Sequence, residues 1–95
     1  MPSNAIISEA PSEGSITLSG TAADDYLEIA SGAVREVHVY FDNASAGTFG
    51  YTDAGAQPLT ARDYQLVWKR PTAQAPANTR VYFGGATVAV KWVSF

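Results

Sequence analysis

The chain has 95 residues, with six Lys or Arg against nine Asp or Glu, one histidine and no cysteine. That length supports one domain with a single modest core, and the lack of cysteine excludes disulfides, thiolate zinc sites and cysteine nucleophiles together. A net charge of −3 argues against a nucleic-acid binder, and no apolar run approaches the roughly 20 residues of a membrane-spanning helix.

The first five residues, Met1 to Ala5, carry no positive charge, so a cleaved signal peptide is not expected. Charged residues make up 16% of the chain, where about 25% is ordinary. Ala, Ser, Thr and Gly take their place, which suits a surface that partly faces other subunits.

Residues 1–14 hold Pro2, Pro11 and Gly14, with Ile6 and Ile7 as the strongly apolar positions. They read as an N-terminal arm, either loose or adding a strand to a neighbour's sheet edge. From residue 15 onward the apolar residues alternate by two, and helical spacing never holds over three turns. Ile16 and Leu18 open the series, followed by Leu27 and Ile29. Val37, Val39 and Phe41 share one face, with Glu36, His38 and Tyr40 on the other. Phe49 and Tyr51 make a fourth run, and Tyr64, Leu66 and Trp68 a fifth. Val81 and Phe83 make a sixth. In the seventh, Val88, Val90 and Trp92 lie opposite Ala89, Lys91 and Val93. β-Branched and aromatic residues dominate these runs, as strands prefer.

Turn residues separate the runs. Ser31-Gly32 precedes the third, and 42–47 reads as a hairpin loop after it. Asp53-Ala54-Gly55 closes the fourth run, and 71–78, bounded by Pro71 and Asn78, reads as a longer loop. Gly84-Gly85 predicts a tight hairpin. The pattern as a whole predicts an all-β fold: an antiparallel β-sandwich or small barrel of about seven short strands over residues 15–95.

Charge is uneven along the chain. Residues 1–47 hold seven acids and one base, a sum of −6, and residues 48–95 hold two acids and five bases, a sum of +3. In a sandwich the two halves are expected to interleave and cancel within one molecule.

A search for catalytic chemistry gives little. His38 is the sole histidine and sits mid-strand, where a surface role is expected rather than general-base work. One histidine does not make a zinc site. Asp24 and Asp25 suit turn initiation through side-chain oxygens on backbone N–H groups. Asp24, Asp25, Asp42 and Asp53 fall near turns, but no calcium-loop motif joins them. Gly84-Gly85 lacks the lysine and helix of a phosphate-binding loop. No enzyme activity and no cofactor are therefore expected. Trp68 and Trp92 read as core anchors, while Tyr40, beside His38, and Tyr82, beside Arg80, are the candidate exposed aromatics. Phe95 is a candidate interface residue, together with Ile6, Ile7 and Trp92.

The stretch 26–35 (YLEIASGAVR) and the following 37–43 (VHVYFDN) resemble small all-β virion proteins of tailed bacteriophages. Thr60 to Leu66 fills the place of their middle segment, and Val81 to Val90 that of their last hairpin. The resemblance covers about residues 15–93 and is one of strand order and composition. It implies a non-enzymatic structural protein of the virion, of the capsid decoration or cement type. It further implies synthesis in the host bacterial cytoplasm and docking on the major capsid protein or other virion subunits, with a homo-oligomer, such as a trimer, as a fitting state. The alternative is a small carbohydrate-binding β-sandwich module or a tail-associated adhesion protein, stacking Tyr40, Tyr82 or Trp68 on sugar rings.

Overall fold

A computed structural model of the chain describes residues 3–51, 57–70, 79–84 and 87–95. Among them, nine strands carry the fold: β1 (Asn4–Ile7), β2 (Ser12–Thr17), β3 (Tyr26–Ile29), β4 (Glu36–Asp42), β5 (Gly47–Gly50), β6 (Gln57–Leu59), β7 (Tyr64–Lys69), β8 (Thr79–Gly84) and β9 (Ala89–Ser94). One 3-10 turn, Ala22–Asp24, precedes β3. The strands form a five-stranded sheet in the order β1-β3-β8-β5-β6 and a four-stranded sheet in the order β2-β9-β4-β7. The predicted β-sandwich is therefore observed. Each of the seven runs becomes a strand, and β1 and β6 are additional.

Alternation by two places one side of each strand between the sheets. Ile16, Leu18, Leu27, Ile29, Val37, Val39, Phe41, Val81, Phe83 and Val90 are all buried there. Val34 and Leu59 join them from the connecting segment before β4 and from β6. At roughly 1.5–3 kcal/mol for each fully buried large aliphatic or aromatic side chain, this layer is the main stabilising term.

The N-terminal segment is a correction. The described part of the predicted arm, from residue 3 to 14, belongs to the sandwich: Asn4–Ile7 pairs in parallel with β3, and β2 pairs antiparallel with β9 from Ser12↔Ser94 to Thr17↔Ala89. Ile7 is buried in the core and aligns with Ile29. The alternation is weak in sequence because, apart from Ile7, the residues of this segment that pack against the core are small, Ala5 and Ala10 among them. Gly14 lies opposite Trp92, and a Cβ at Gly14 would come within 2.6 Å of the Trp92 ring. The indole fills the room that a larger inward residue on β2 would take.

The connections supply a second correction. The turn residues at 42–47 and at Gly84-Gly85 do not make hairpins, because β4 and β5 lie in different sheets, as do β8 and β9. Turn chemistry reports that the chain reverses; which sheet the next strand joins is set by packing. Gly47 shows that packing: a Cβ there would meet Phe41 Cζ at 2.5 Å and the Gly84 carbonyl oxygen at 2.8 Å. The bend at 53–55, the loop at 71–78 and Gly85 lie outside the described residues. β5 and β6, on either side of the first of these, do pair antiparallel.

Two ion pairs join the two halves of the chain. Arg80 Nε lies 2.7 Å from Glu28 Oε1, and Arg62 Nε lies 3.7 Å from Asp42 Oδ1. In both pairs the acid comes from the first half of the chain and the base from the second.

Candidate functional site

The outward side chains of the four-stranded sheet gather into one patch. β4 contributes Glu36, His38 and Tyr40, and β9 contributes Lys91 and Val93, followed by Phe95. β2 adds Glu13. The fourth contribution, from β7, depends on a bulge. Trp68 aligns with Val37 but Leu66 aligns with His38, so Val67 is an extra residue on β7. Val67 and Trp68 are both buried, while Tyr64 and Leu66 face outward. Trp68 therefore does not share a face with Tyr64 and Leu66, as simple alternation predicts; a bulge re-aims every side chain beyond it.

Register then sets the residues in rows across the sheet. Leu66, His38, Val93 and Glu13 make one row, and Tyr64, Tyr40, Lys91 and Ser15 the next. The Tyr40 and Tyr64 rings are 5.3 Å apart between centroids, and His38 meets Phe95 edge-on at 5.2 Å. Lys91 Nζ lies 5.7 Å from the centre of the Tyr40 ring. His38 Nε2 and Glu36 Oε1 are 2.9 Å apart, so the imidazole is tied along its own strand. Phe95 is 54% exposed, Tyr64 51% and Leu66 45%. Half-exposed apolar residues clustered in this way mark interaction surfaces.

Two hollows lie on this face. One, of ≈ 370 Å³, is lined by His38, Tyr64, Val93 and Phe95. The other, of ≈ 300 Å³, is lined by Pro11, Ser12, Glu13 and Val93. Val93 lines both, so they lie on either side of β9.

The remaining predicted site residues are elsewhere. Trp92, proposed for an interface, is buried in the core, as is Ile7; neither presents a side chain for docking. Ile6 is 64% exposed, but on β1 at the edge of the other sheet. Tyr82 also belongs to that sheet, so Tyr40 and Tyr82 lie on opposite outer faces. Around Tyr82 the surface is already engaged. Arg80 stacks 4.1 Å over Tyr26 and bonds both Glu28 and the Tyr82 hydroxyl. The bonds to Tyr82 and Glu28 raise the arginine pKa above its ordinary value. Of the residues singled out in sequence, only Phe95 and Tyr40 join the patch, beside His38. Tyr64, Leu66 and Val93 complete it. The outward placement of Val93 was already readable from the seventh run, but that of Leu66 needed the bulge.

Two polar groups in the interior are structural. Asp25 is buried, and its Oδ1 accepts from Ser19 N at 2.9 Å and Ser19 Oγ at 2.7 Å, while Oδ2 accepts from Gly20 N at 3.0 Å. This is the turn-forming role expected of it. Ser94 Oγ lies 2.6 Å from Ser12 Oγ and donates to the Glu9 carbonyl at 2.9 Å, tying β9 to the start of β2. Among the described residues, no three of His, Asp and Glu come together as a ligand set.

Comparison of the chain with protein families, with curated proteins and with solved structures finds no match.

Proposed function

We propose that the chain is a non-enzymatic docking subunit of a larger protein assembly, and that the assembly is a bacteriophage virion, in which it serves as a decoration or cement protein. The observation that carries the docking reading is the continuous patch of Tyr64, Leu66, His38, Val93 and Phe95 on the outer face of the four-stranded sheet. The virion reading rests on the sequence resemblance over residues 15–93. Its closing hairpin is not part of the fold, since β8 and β9 belong to different sheets.

Two of the four sheet edges are poorly suited to strand addition, which favours docking by a face. β6, at one edge of the five-stranded sheet, carries Pro58, and proline blunts an edge because it has no N–H to offer. β7, at one edge of the four-stranded sheet, carries the bulge, and the Tyr51 hydroxyl donates to the Val67 carbonyl there at 2.8 Å. The sugar-binding alternative loses support, because Trp68 is buried and Tyr40 and Tyr82 face opposite ways.

The test is the protein content of particles purified from the phage or prophage that encodes the chain, by quantitative mass spectrometry. The proposal expects the chain at a fixed ratio to the major capsid protein. Its absence from washed particles would overturn the virion reading.

A further inference from the structure

The chemistry of the partner can be read from the two hollows that Val93 lines, on the premise that this face docks a protein. The larger hollow is lined by Tyr64, Val93, Phe95 and His38, and the His38 ring is already engaged by Glu36 at 2.9 Å. The lining offers few hydrogen-bond partners to a polar ligand. An aliphatic side chain needs none.

The second hollow differs in charge. Glu13 lines it, is exposed, and takes part in none of the ion pairs of the described residues. Lys91 is on the same face, two residues from Val93, which aligns with Glu13. Its ammonium, however, sits 5.7 Å from the Tyr40 ring, on the β4 side of β9 and away from β2. Lys69 is further off, aligned with Glu36 at the opposite edge of the sheet. An unneutralised carboxylate thus flanks an apolar groove. The two are separated by about two strand spacings, roughly 10 Å. In an extended chain, side chains at i and i+2 share a face and stand roughly 7 Å apart; the long stem of Lys or Arg covers the difference.

We infer that this face takes an extended segment of another protein, one that seats an aliphatic side chain among Tyr64, His38, Val93 and Phe95 and sets a Lys or Arg two residues away over Glu13. The inference rests on the docking reading above and is narrower than it.

The experiment is a chemical-shift titration of the ¹⁵N-labelled full chain with three blocked pentapeptides: Thr-Leu-Thr-Lys-Thr, Thr-Ser-Thr-Lys-Thr and Thr-Leu-Thr-Glu-Thr. The Leu-Lys peptide is expected to move the amides of Glu13, His38 and Val93, and the Ser-Lys peptide to leave them in place. The Leu-Glu peptide is expected to bind about two- to fivefold more weakly, the range of an exposed ion pair. Glu13→Gln, a surface change outside the core, should remove that preference while leaving the leucine requirement. Equal binding of the Leu-Lys and Leu-Glu peptides would overturn the inference, as would the absence of any shift with the Leu-Lys peptide. Movement of the same amides by methyl glycosides instead would also overturn it. Since particle content is measured separately, failure of the peptides with the chain still present in particles would reject this specificity and leave the docking reading standing.

Discussion

Removing the Asp25 carboxylate should destabilise the protein more than any other single polar change in the described residues. Its two oxygens accept three hydrogen bonds, from Ser19 N, Ser19 Oγ and Gly20 N, at 2.7 to 3.0 Å, and the residue is 2% exposed. Hydrogen bonds to a charged acceptor are worth about 1.5–3 kcal/mol each, and donors left unpaired in the interior add a desolvation cost. The terms do not add fully, so Asp25→Ala is expected to cost about 3–5 kcal/mol. Asp25→Asn keeps the oxygen facing Ser19 but turns an NH₂ group toward the Gly20 N–H, so about 1–3 kcal/mol is expected. Ser19→Ala removes two bonds, the one its hydroxyl donates to Asp25 and the one it accepts from Thr21 N at 3.1 Å, and should cost about 1–2 kcal/mol. For a domain of this length, each kcal/mol lowers Tm by roughly 4–8 °C. Urea unfolding followed by tryptophan fluorescence would give the series. If Asp25→Ala stays within 1 kcal/mol of the parent, the carboxylate does not hold the loop, and the reasoning is refuted.

The two adjacent isoleucines should separate sharply: Ile7→Ala is expected to cost about 2–4 kcal/mol by cavity formation, and Ile6→Ser to stay within about 0.5 kcal/mol, as measured by denaturant midpoints. Gly47→Ala drives a methyl against the Phe41 ring and a backbone carbonyl, so a loss of about 1–3 kcal/mol is expected; an unchanged thermal midpoint would show that β5 gives way freely. Arg70 donates to the Ser31 and Val34 carbonyls and stacks on Trp68. Arg70→Lys loses the fork and should cost about 1–2 kcal/mol despite keeping the charge, again read from chemical denaturation.

Much of the fold was legible because its strands alternate cleanly. Val37, Val39 and Phe41 announced a half-buried strand, and the structure buries each of them. Legibility failed where partners rather than patterns decide. Gly14 looks like loop in sequence, yet it is strand, because the Trp92 ring from the neighbouring strand occupies its side-chain space. Leu66 and Trp68 share a parity in sequence but not in space, since the extra residue Val67 lies between them in the ladder with β4. Pairing is non-local, and no feature of the sequence before Gly84 says that the next strand will cross to the other sheet. The candidate site suffered most. His38, Tyr40 and Phe95 were individually visible, but what joins them to Tyr64, Leu66 and Val93 is register across β9, β4 and β7.

The central claim is that the outer face of the four-stranded sheet is the docking surface. Competition between the parent chain and Leu66→Lys for particles lacking the protein tests it most directly, with folding of the variant checked by its unfolding midpoint. Leu66 is nearly half exposed, so stability should change by less than about 0.5 kcal/mol. A buried, unpaired lysine at the contact should lower occupancy by about tenfold or more. Equal occupancy by a folded Leu66→Lys chain would contradict the account.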